Sequence, residues 1–154
     1  MKTKYFLVGG LVLFAIFLVA CGSQPTPTAT ETAPATSGGG TVEDHASLVA
    51  ALRDAGATVE SGDPIEQPFF AVKGQIIKVN SMDVQTFEYE TAEAMESDVA
   101  KVAPDGSSVG TNMMMWVATP HFYKSGHILV LYVGDDQTVI DLLKGTLGPQ
   151  FAGR

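Results

Sequence analysis

The fold is decided by the stretch HFYKSGHILVLYV, residues 121–133. Its second half, Ile128-Leu129-Val130-Leu131-Tyr132-Val133, is an unbroken apolar run rich in β-branched and aromatic side chains. Such a run predicts a strand at the centre of a sheet. Lys124-Ser125-Gly126, just before it, is typical of a turn. The stretch therefore predicts an antiparallel hairpin around which the rest of the domain is built.

Four further strands are predicted around this one. Met113-Met114-Met115-Trp116-Val117 is the other strongly apolar segment, and we expect it to be a second central strand. Residues 76–79 and 84–89 predict a hairpin, because Asn80-Ser81-Met82-Asp83 between them is typical of a turn. An earlier strand is expected near residues 57–60.

Three helices accompany the strands. The first is expected over residues 43–55, with Thr41 as a capping residue and Gly56 at its end. The second covers residues 91–102, with an apolar stripe opposite a polar stripe of Glu93, Glu96, Asp98 and Lys101. The third begins at Asp135-Asp136 and stops at Gly148-Pro149. Helices packed on strands joined by short turns predict an α+β domain, with an antiparallel sheet of about five strands and three helices.

The first forty residues differ in composition from this domain. Residues 1–4 are basic and residues 5–20 are uncharged and apolar, which is the layout of a cleaved secretory signal peptide. A membrane-spanning helix needs about 20 apolar residues, and this run is shorter and contains Gly9-Gly10. An uncleaved membrane anchor is the alternative interpretation.

Residues 21–40 are predicted to be a linker. They are rich in Thr, Pro and Gly and contain no large apolar side chain, so we expect them to be disordered. The globular domain then covers residues 41–154. From Cys21 onward the chain has 7 basic and 17 acidic residues, a net charge of −10. This charge disfavours nucleic acid as a partner and disfavours direct adsorption to anionic lipid.

Leu18-Val19-Ala20-Cys21, followed by Gly22-Ser23, resembles the lipobox of bacterial lipoproteins. The resemblance implies that the signal peptide 1–20 is cleaved before Cys21 and that a diacylglyceryl group is attached to its thiol. The chain would then be lipid-anchored to the cell membrane on the extracytoplasmic side, because two or three acyl chains anchor durably where one does not. Cys21 is the only cysteine, so an internal disulfide is impossible.

Three short segments of the domain are similar to stretches in small, uncharacterised bacterial lipoproteins. They are residues 67–70, 104–110 and 147–151. This likeness brings with it no activity and no site residues.

No catalytic set is predicted. A nucleophilic Ser, Thr or Cys needs an oriented base beside it, and His45, His121 and His127 lie in no known nucleophile signature. The carboxylate pairs Glu43-Asp44 and Asp135-Asp136 could serve hydrolysis or calcium binding. Helix starts explain them better, because acidic side chains there cap the helix and interact favourably with its dipole. We therefore expect the chain not to be an enzyme and to bind no cofactor.

An alternative function is extracytoplasmic copper binding. Its ligands would be Met113, Met114, Met115, His121 and His127. Thioethers and imidazoles suit copper(I), but methionines also commonly fill cores. A two-residue turn at Ser125-Gly126 pairs Tyr123 with Ile128 and His121 with Val130, which places His121 and His127 on opposite faces of the sheet. We therefore expect no metal site.

The leading hypothesis is a non-catalytic binding or interaction module at the cell envelope, whose partner is an envelope protein or a small ligand. The candidate surface consists of two proline-aromatic clusters near predicted strand ends, with side chains Phe69, Phe70, Phe122 and Tyr123. Exposed aromatic patches often mark binding sites. The alternative is that these rings complete the core beneath the loops.

Overall fold

The computed structural model describes residues 41–154. The predicted signal peptide, the lipobox-like sequence with Cys21, and the predicted linker lie outside the described residues. None of the helices within residues 41–154 is long and apolar enough to cross a membrane.

The domain is α+β, as predicted, with three helices and a mainly antiparallel strand arrangement. The helices are α1 (His45–Asp54), α2 (Ala92–Val99) and α3 (Gln137–Leu147). The strands are β1 (Val59–Ile65), β2 (Gly74–Val79), β3 (Met82–Glu88), β4 (Ser108–Val109), β5 (Asn112–Met113), β6 (Pro120–Ser125), β7 (Ile128–Val133) and β8 (Ala152–Gly153). Six strands form one antiparallel sheet in the order β1-β2-β3-β7-β6-β8, and β4 pairs with β5 in a small ribbon.

Strand β7 lies inside the sheet, between β3 and β6, as its apolar sequence predicts. Its first five side chains are buried. Ile128, Val130 and Tyr132 pack on one face of the sheet, and Leu129 and Leu131 on the other. Because both faces are covered, the strand is continuously apolar rather than alternating.

The hairpin register differs from the predicted one. The two loop residues are Gly126 and His127, so Tyr123 pairs with Val130 and His121 with Tyr132. The predicted loop, Ser125-Gly126, put the glycine second. In the structure Gly126 comes first and has φ +54, the position where a type II′ turn favours glycine. A Cβ at Gly126 would also clash with the backbone carbonyl of Glu43.

Two apolar clusters fill the two faces of the sheet. The first joins α1 and α3 to the sheet through Leu48, Leu52, Val139 and Leu143, which pack against Tyr123 and its neighbours. The second joins α2, the loop after β1 and the ribbon to the opposite face, around Phe87 and Phe122. The sheet is therefore the middle layer of three.

The prediction that residues 113–117 form a central strand is wrong. Only Met113 belongs to a strand, the two-residue β5 of the ribbon, and the segment up to Val117 is joined to no strand of the main sheet. The neighbour of β7 is β6 instead. The other edge of β6 pairs with β8, through His121 and Phe122. The sequence did not indicate this last strand.

The helix ends agree with the capping chemistry that the sequence shows, except at α1. Asp44, not Thr41, caps this helix by accepting a hydrogen bond from the backbone N–H of Ser47 at 2.8 Å. Thr91 caps α2, and Asp136 caps α3. Gly148 ends α3 with φ +88, which explains the stop before Pro149.

Candidate functional site

The aromatic clusters do not form the exposed surface that we predicted. Phe122 and Tyr123 are buried side chains of β6 and point to opposite faces of the sheet, since Phe122 belongs to one apolar cluster and Tyr123 to the other. Phe70 is buried against Phe87, with ring centroids 4.7 Å apart. Phe69 is half-buried on the edge of Phe70. The rings complete the core, so the alternative interpretation of these residues is the correct one.

A buried carboxylate holds the loop that carries Phe69 and Phe70. Asp98 on α2 has a side-chain exposure of only 1%. One of its oxygens accepts hydrogen bonds from the backbone N–H of Ala71 at 2.7 Å and from the hydroxyl of Tyr89 at 2.8 Å. The other accepts from Lys101 Nζ at 2.6 Å. Asp98 thus ties α2 to the loop between β1 and β2 and to the end of β3.

The hydrogen bonds decide the charge state of this group. Burial acts to raise the pKa of Asp98, but the bonds from Ala71, Lys101 and Tyr89 outweigh it, and the pKa of the carboxyl lies below its usual value. Burial, with the hydrogen bond and the negative charge of Asp98, raises the pKa of Tyr89. Asp98 is therefore an ionised carboxylate with three donors, and its role is structural. The sequence placed it on the polar stripe of α2, because periodicity alone does not reveal a loop that folds back over a helix.

The most exposed large apolar side chains of the described domain lie just before β6. Met113 is 80% exposed, Met115 98% and Val117 97%. We call these three residues the strip. The two residues between them point inward: Met114 and Trp116 are half-buried against the cluster around Phe122. Outward and inward side chains alternate as in an extended strand.

Backbone and ring contacts fix the strip on the domain. Trp116 donates its indole N–H to the carbonyl of Gly106 at 2.7 Å, and its ring lies 5.9 Å from that of Phe122 in an edge arrangement. The backbone N–H of Met114 donates to the carbonyl of Ser107 at 2.9 Å. With Met114 and Trp116 anchored in this way, the strip is turned outward.

The strip lies in an uncharged part of an acidic protein. Residues 41–154 contain 16 Asp and Glu against 7 Lys and Arg, a net charge of −9. Between Asp105 and Lys124 the sequence contains no Asp, Glu, Lys or Arg. No charged residue of the same segment therefore flanks the strip.

The donors of the alternative copper site are not brought together. His121 is buried near the start of β6, whereas His127 lies in the turn beyond its end, beside Glu88. Four residues at about 3.3 Å each place the end of β6 roughly 13 Å from His121, and His127 lies in the turn beyond that end. Met113 and Met115 point to solvent. Residues 41–154 contain no group of three His, Cys, Asp or Glu side chains arranged to hold a metal ion.

The remaining sequence candidates have structural contacts. His45 Nδ1 lies 3.1 Å from the hydroxyl of Thr86, and its backbone N–H donates to Glu88. Asp44 and Asp136 are occupied as helix caps. The hydrogen bonds of Asp44 with Ser47 lower its pKa.

No family model, no curated protein and no solved structure matches this chain.

Proposed function

We propose that this chain is a lipid-anchored protein of the bacterial cell envelope whose domain is a non-catalytic interaction module. The lipid on Cys21 is the anchor, and residues 21–40 are the linker that separates the domain from the membrane. The observation that carries the interaction role is the strip, whose three large apolar side chains are at least 80% exposed. Clustered apolar exposure of this kind typically marks a binding site.

The partner that fits the strip is an uncharged, apolar segment of another envelope protein. A second copy of the domain, or an anionic bilayer, would approach against a net charge of −9. An uncharged apolar segment is not repelled by this charge. It also carries no charged group that would lose its hydration on binding the strip. An extended backbone with alternating outward side chains also offers the geometry by which peptides add to strands.

The position of the strip agrees with this assignment. The domain begins beside the tip of the β6-β7 hairpin, where Ser125 Oγ donates to the carbonyl of Val42 at 2.6 Å. The strip precedes β6 at the other end of that strand, about 17 Å away at 3.3 Å per residue. The first residues of the described domain and the strip therefore lie near opposite ends of β6.

The anchor is tested by the substitution Cys21→Ala. Alanine has no thiol to receive the diacylglyceryl group, so we expect lipid incorporation to be lost. Metabolic labelling with a fatty acid, and mass spectrometry of the N-terminus of the wild-type protein, measure this directly. Ser23→Ala is the control and should label normally. An intact Met1 in the wild-type protein, or label retained by Cys21→Ala, would contradict the anchor.

The interaction role is tested by a photo-reactive amino acid in place of Met115, in the full chain in its native envelope. We expect a discrete adduct with a different protein. The same probe in place of Met82, an exposed methionine at the β2-β3 turn, is the matched control and should give no such adduct. The double substitution Met113→Asp and Val117→Asp should reduce the Met115 adduct more than about tenfold, because it removes two side chains worth about 1.5–3 kcal/mol each when buried.

Two other outcomes would overturn the assignment of the partner. An adduct of twice the mass of the chain would identify a second copy. An adduct with lipid alone would identify the strip as a membrane-inserting segment.

A further inference from the structure

A cleft on the opposite face of the sheet from Trp116 gathers basic groups. It lies between α3, the start of β6 and the C-terminal segment, and has a volume of about 370 Å³. Clefts of this size hold small organic molecules. The residues that matter for its chemistry are His121, Tyr123, Gln137, Ile140, Lys144 and Arg154, all of which line it.

His121 is the most unusual side chain of the cleft. It is only 5% exposed, and its ring stacks on Tyr132 with the centroids 6.0 Å apart. Nδ1 lies 2.7 Å from the side-chain oxygen of Gln150, so Nδ1 carries the proton that is donated there. Nε2 is buried and has no hydrogen-bond partner among residues 41–154. An unpaired buried polar atom is costly. With the proton on Nδ1, Nε2 is an acceptor, and it donates to an anionic ligand only when it also takes up a proton from solvent.

Two exposed cationic side chains, Lys144 and Arg154, line the cleft. Among residues 41–154, Lys73, Lys78, Lys101 and Lys124 each have a carboxylate within 4.0 Å, but Lys144 has none. Arg154 approaches Asp105 only at 3.9 Å, with both side chains more than half exposed. The nearest acidic group of α3 is Asp141, which accepts a hydrogen bond from Gln137. In a domain of net charge −9, this cleft thus presents one cation without a carboxylate partner, Lys144, and a second, Arg154, whose partner is distant.

The rest of the lining is apolar. Ile140 is half-buried on α3, and Tyr123 belongs to the apolar cluster beneath it. Because Tyr123 is already buried, the apolar surface that a ligand can still cover is chiefly that of Ile140. A bare inorganic anion would leave it uncovered, whereas a compact apolar body would bury it.

We propose that this cleft binds a small organic anion, a monocarboxylate with a compact apolar body. The carboxylate lies between His121, Lys144 and Arg154. Its negative charge favours uptake of a proton from solvent at Nε2 of His121, which then donates a hydrogen bond to the carboxylate. The apolar body lies on Ile140, above the buried ring of Tyr123. This site is separate from the strip, and either can exist without the other.

Benzoate is the probe that tests the proposal, added to the mature lipidated chain in zwitterionic detergent micelles with ¹⁵N-labelled histidine. We expect saturable binding and a change of the His121 Nε2 resonance to that of a protonated nitrogen. Benzyl alcohol, which lacks the charge, and inorganic phosphate, which lacks the apolar body, should each bind at least about fivefold more weakly. Partition of benzoate into the micelles alone would be non-saturable and would leave the His121 resonance unchanged.

The matched variants are Lys144→Gln and Lys73→Gln. Lys144 is an exposed residue, so its substitution leaves the fold intact, and we expect a loss of benzoate affinity of about fivefold to tenfold. Lys73→Gln removes an equal charge away from the cleft and should leave the affinity unchanged. Equal binding of benzyl alcohol, equal binding of phosphate, the same loss in both variants, or no saturable binding would each overturn the proposal.

Discussion

The substitution Phe122→Ala is expected to destabilise the domain by about 3–5 kcal/mol, the usual cost of deleting a buried aromatic ring. Phe122 has no exposed surface and packs against the rings of Trp116 and Phe151 at centroid distances of 5.9 and 6.0 Å. Domains of this size have total stabilities of about 5–15 kcal/mol, so the loss is a large fraction of the whole. Urea unfolding of the wild-type and variant chains measures it.

The matched control is Met115→Ala. Met115 is 98% exposed, so its truncation should change the free energy of unfolding by no more than about 0.5 kcal/mol. The pair separates two roles that the sequence confused, since Phe122 was expected at a binding surface and the methionines in a core. If Phe122→Ala were as stable as the wild type, the ring would not be part of the core, and the aromatic surface would have to be reconsidered.

Most of the secondary structure could be predicted because its signals are local. The cap at Asp136 and the stop at Gly148 act through backbone groups a few residues away. The apolar run of β7 needs burial on both faces whatever its neighbours are. These elements were placed correctly, and with them the α+β class.

The predicted hairpin register was wrong because one residue, Gly126, was placed at the wrong position of the loop. A loop of two residues was correct, but glycine was assigned to its second position instead of its first. Moving Gly126 by one position along the loop shifts every pair by two residues, so His121 faces Tyr132 instead of Val130. Because a shift of two preserves the alternation, the faces of β6 were still predicted correctly.

The position of residues 113–117 could not be predicted from their composition. Apolar side chains favour burial, but the composition does not tell which part of the protein will cover them. Met114 and Trp116 pack against the core of the domain, whereas Met113, Met115 and Val117 remain exposed. A strand in the main sheet needs a partner edge. Both edges of β7 are taken by β3 and β6, and β8 pairs with the other edge of β6, so the segment has no free edge beside these strands.

The substitution Asp98→Ala is expected to destabilise the domain by about 2–4 kcal/mol. It leaves the buried hydroxyl of Tyr89 and the N–H of Ala71 without an acceptor, and each such loss typically costs about 1–3 kcal/mol. Lys101 is half-exposed and can turn to solvent, so it adds little. Asp98→Asn is expected to lose less, because one amide oxygen can still accept from Ala71 and Tyr89. Urea unfolding at pH 7 measures both variants.

The pH dependence distinguishes an ionised Asp98 from a neutral one. The carboxyl has a lower pKa in the folded protein than the usual unfolded value of about 3.9. Its contribution to stability is therefore fully present above about pH 4 and is lost as the pH falls through the folded pKa. We expect the difference in free energy of unfolding between wild type and Asp98→Asn to be constant from about pH 5 to 8 and to narrow below about pH 4.

The control is Glu96→Gln, because Glu96 is an exposed neighbour on α2 whose carboxylate binds Lys124. Its difference from the wild type in free energy of unfolding should stay within about 0.5 kcal/mol at every pH. A gap for Asp98→Asn that widened as the pH fell would mean that the folded carboxyl binds its proton more tightly than the unfolded one, and would contradict the three-donor carboxylate.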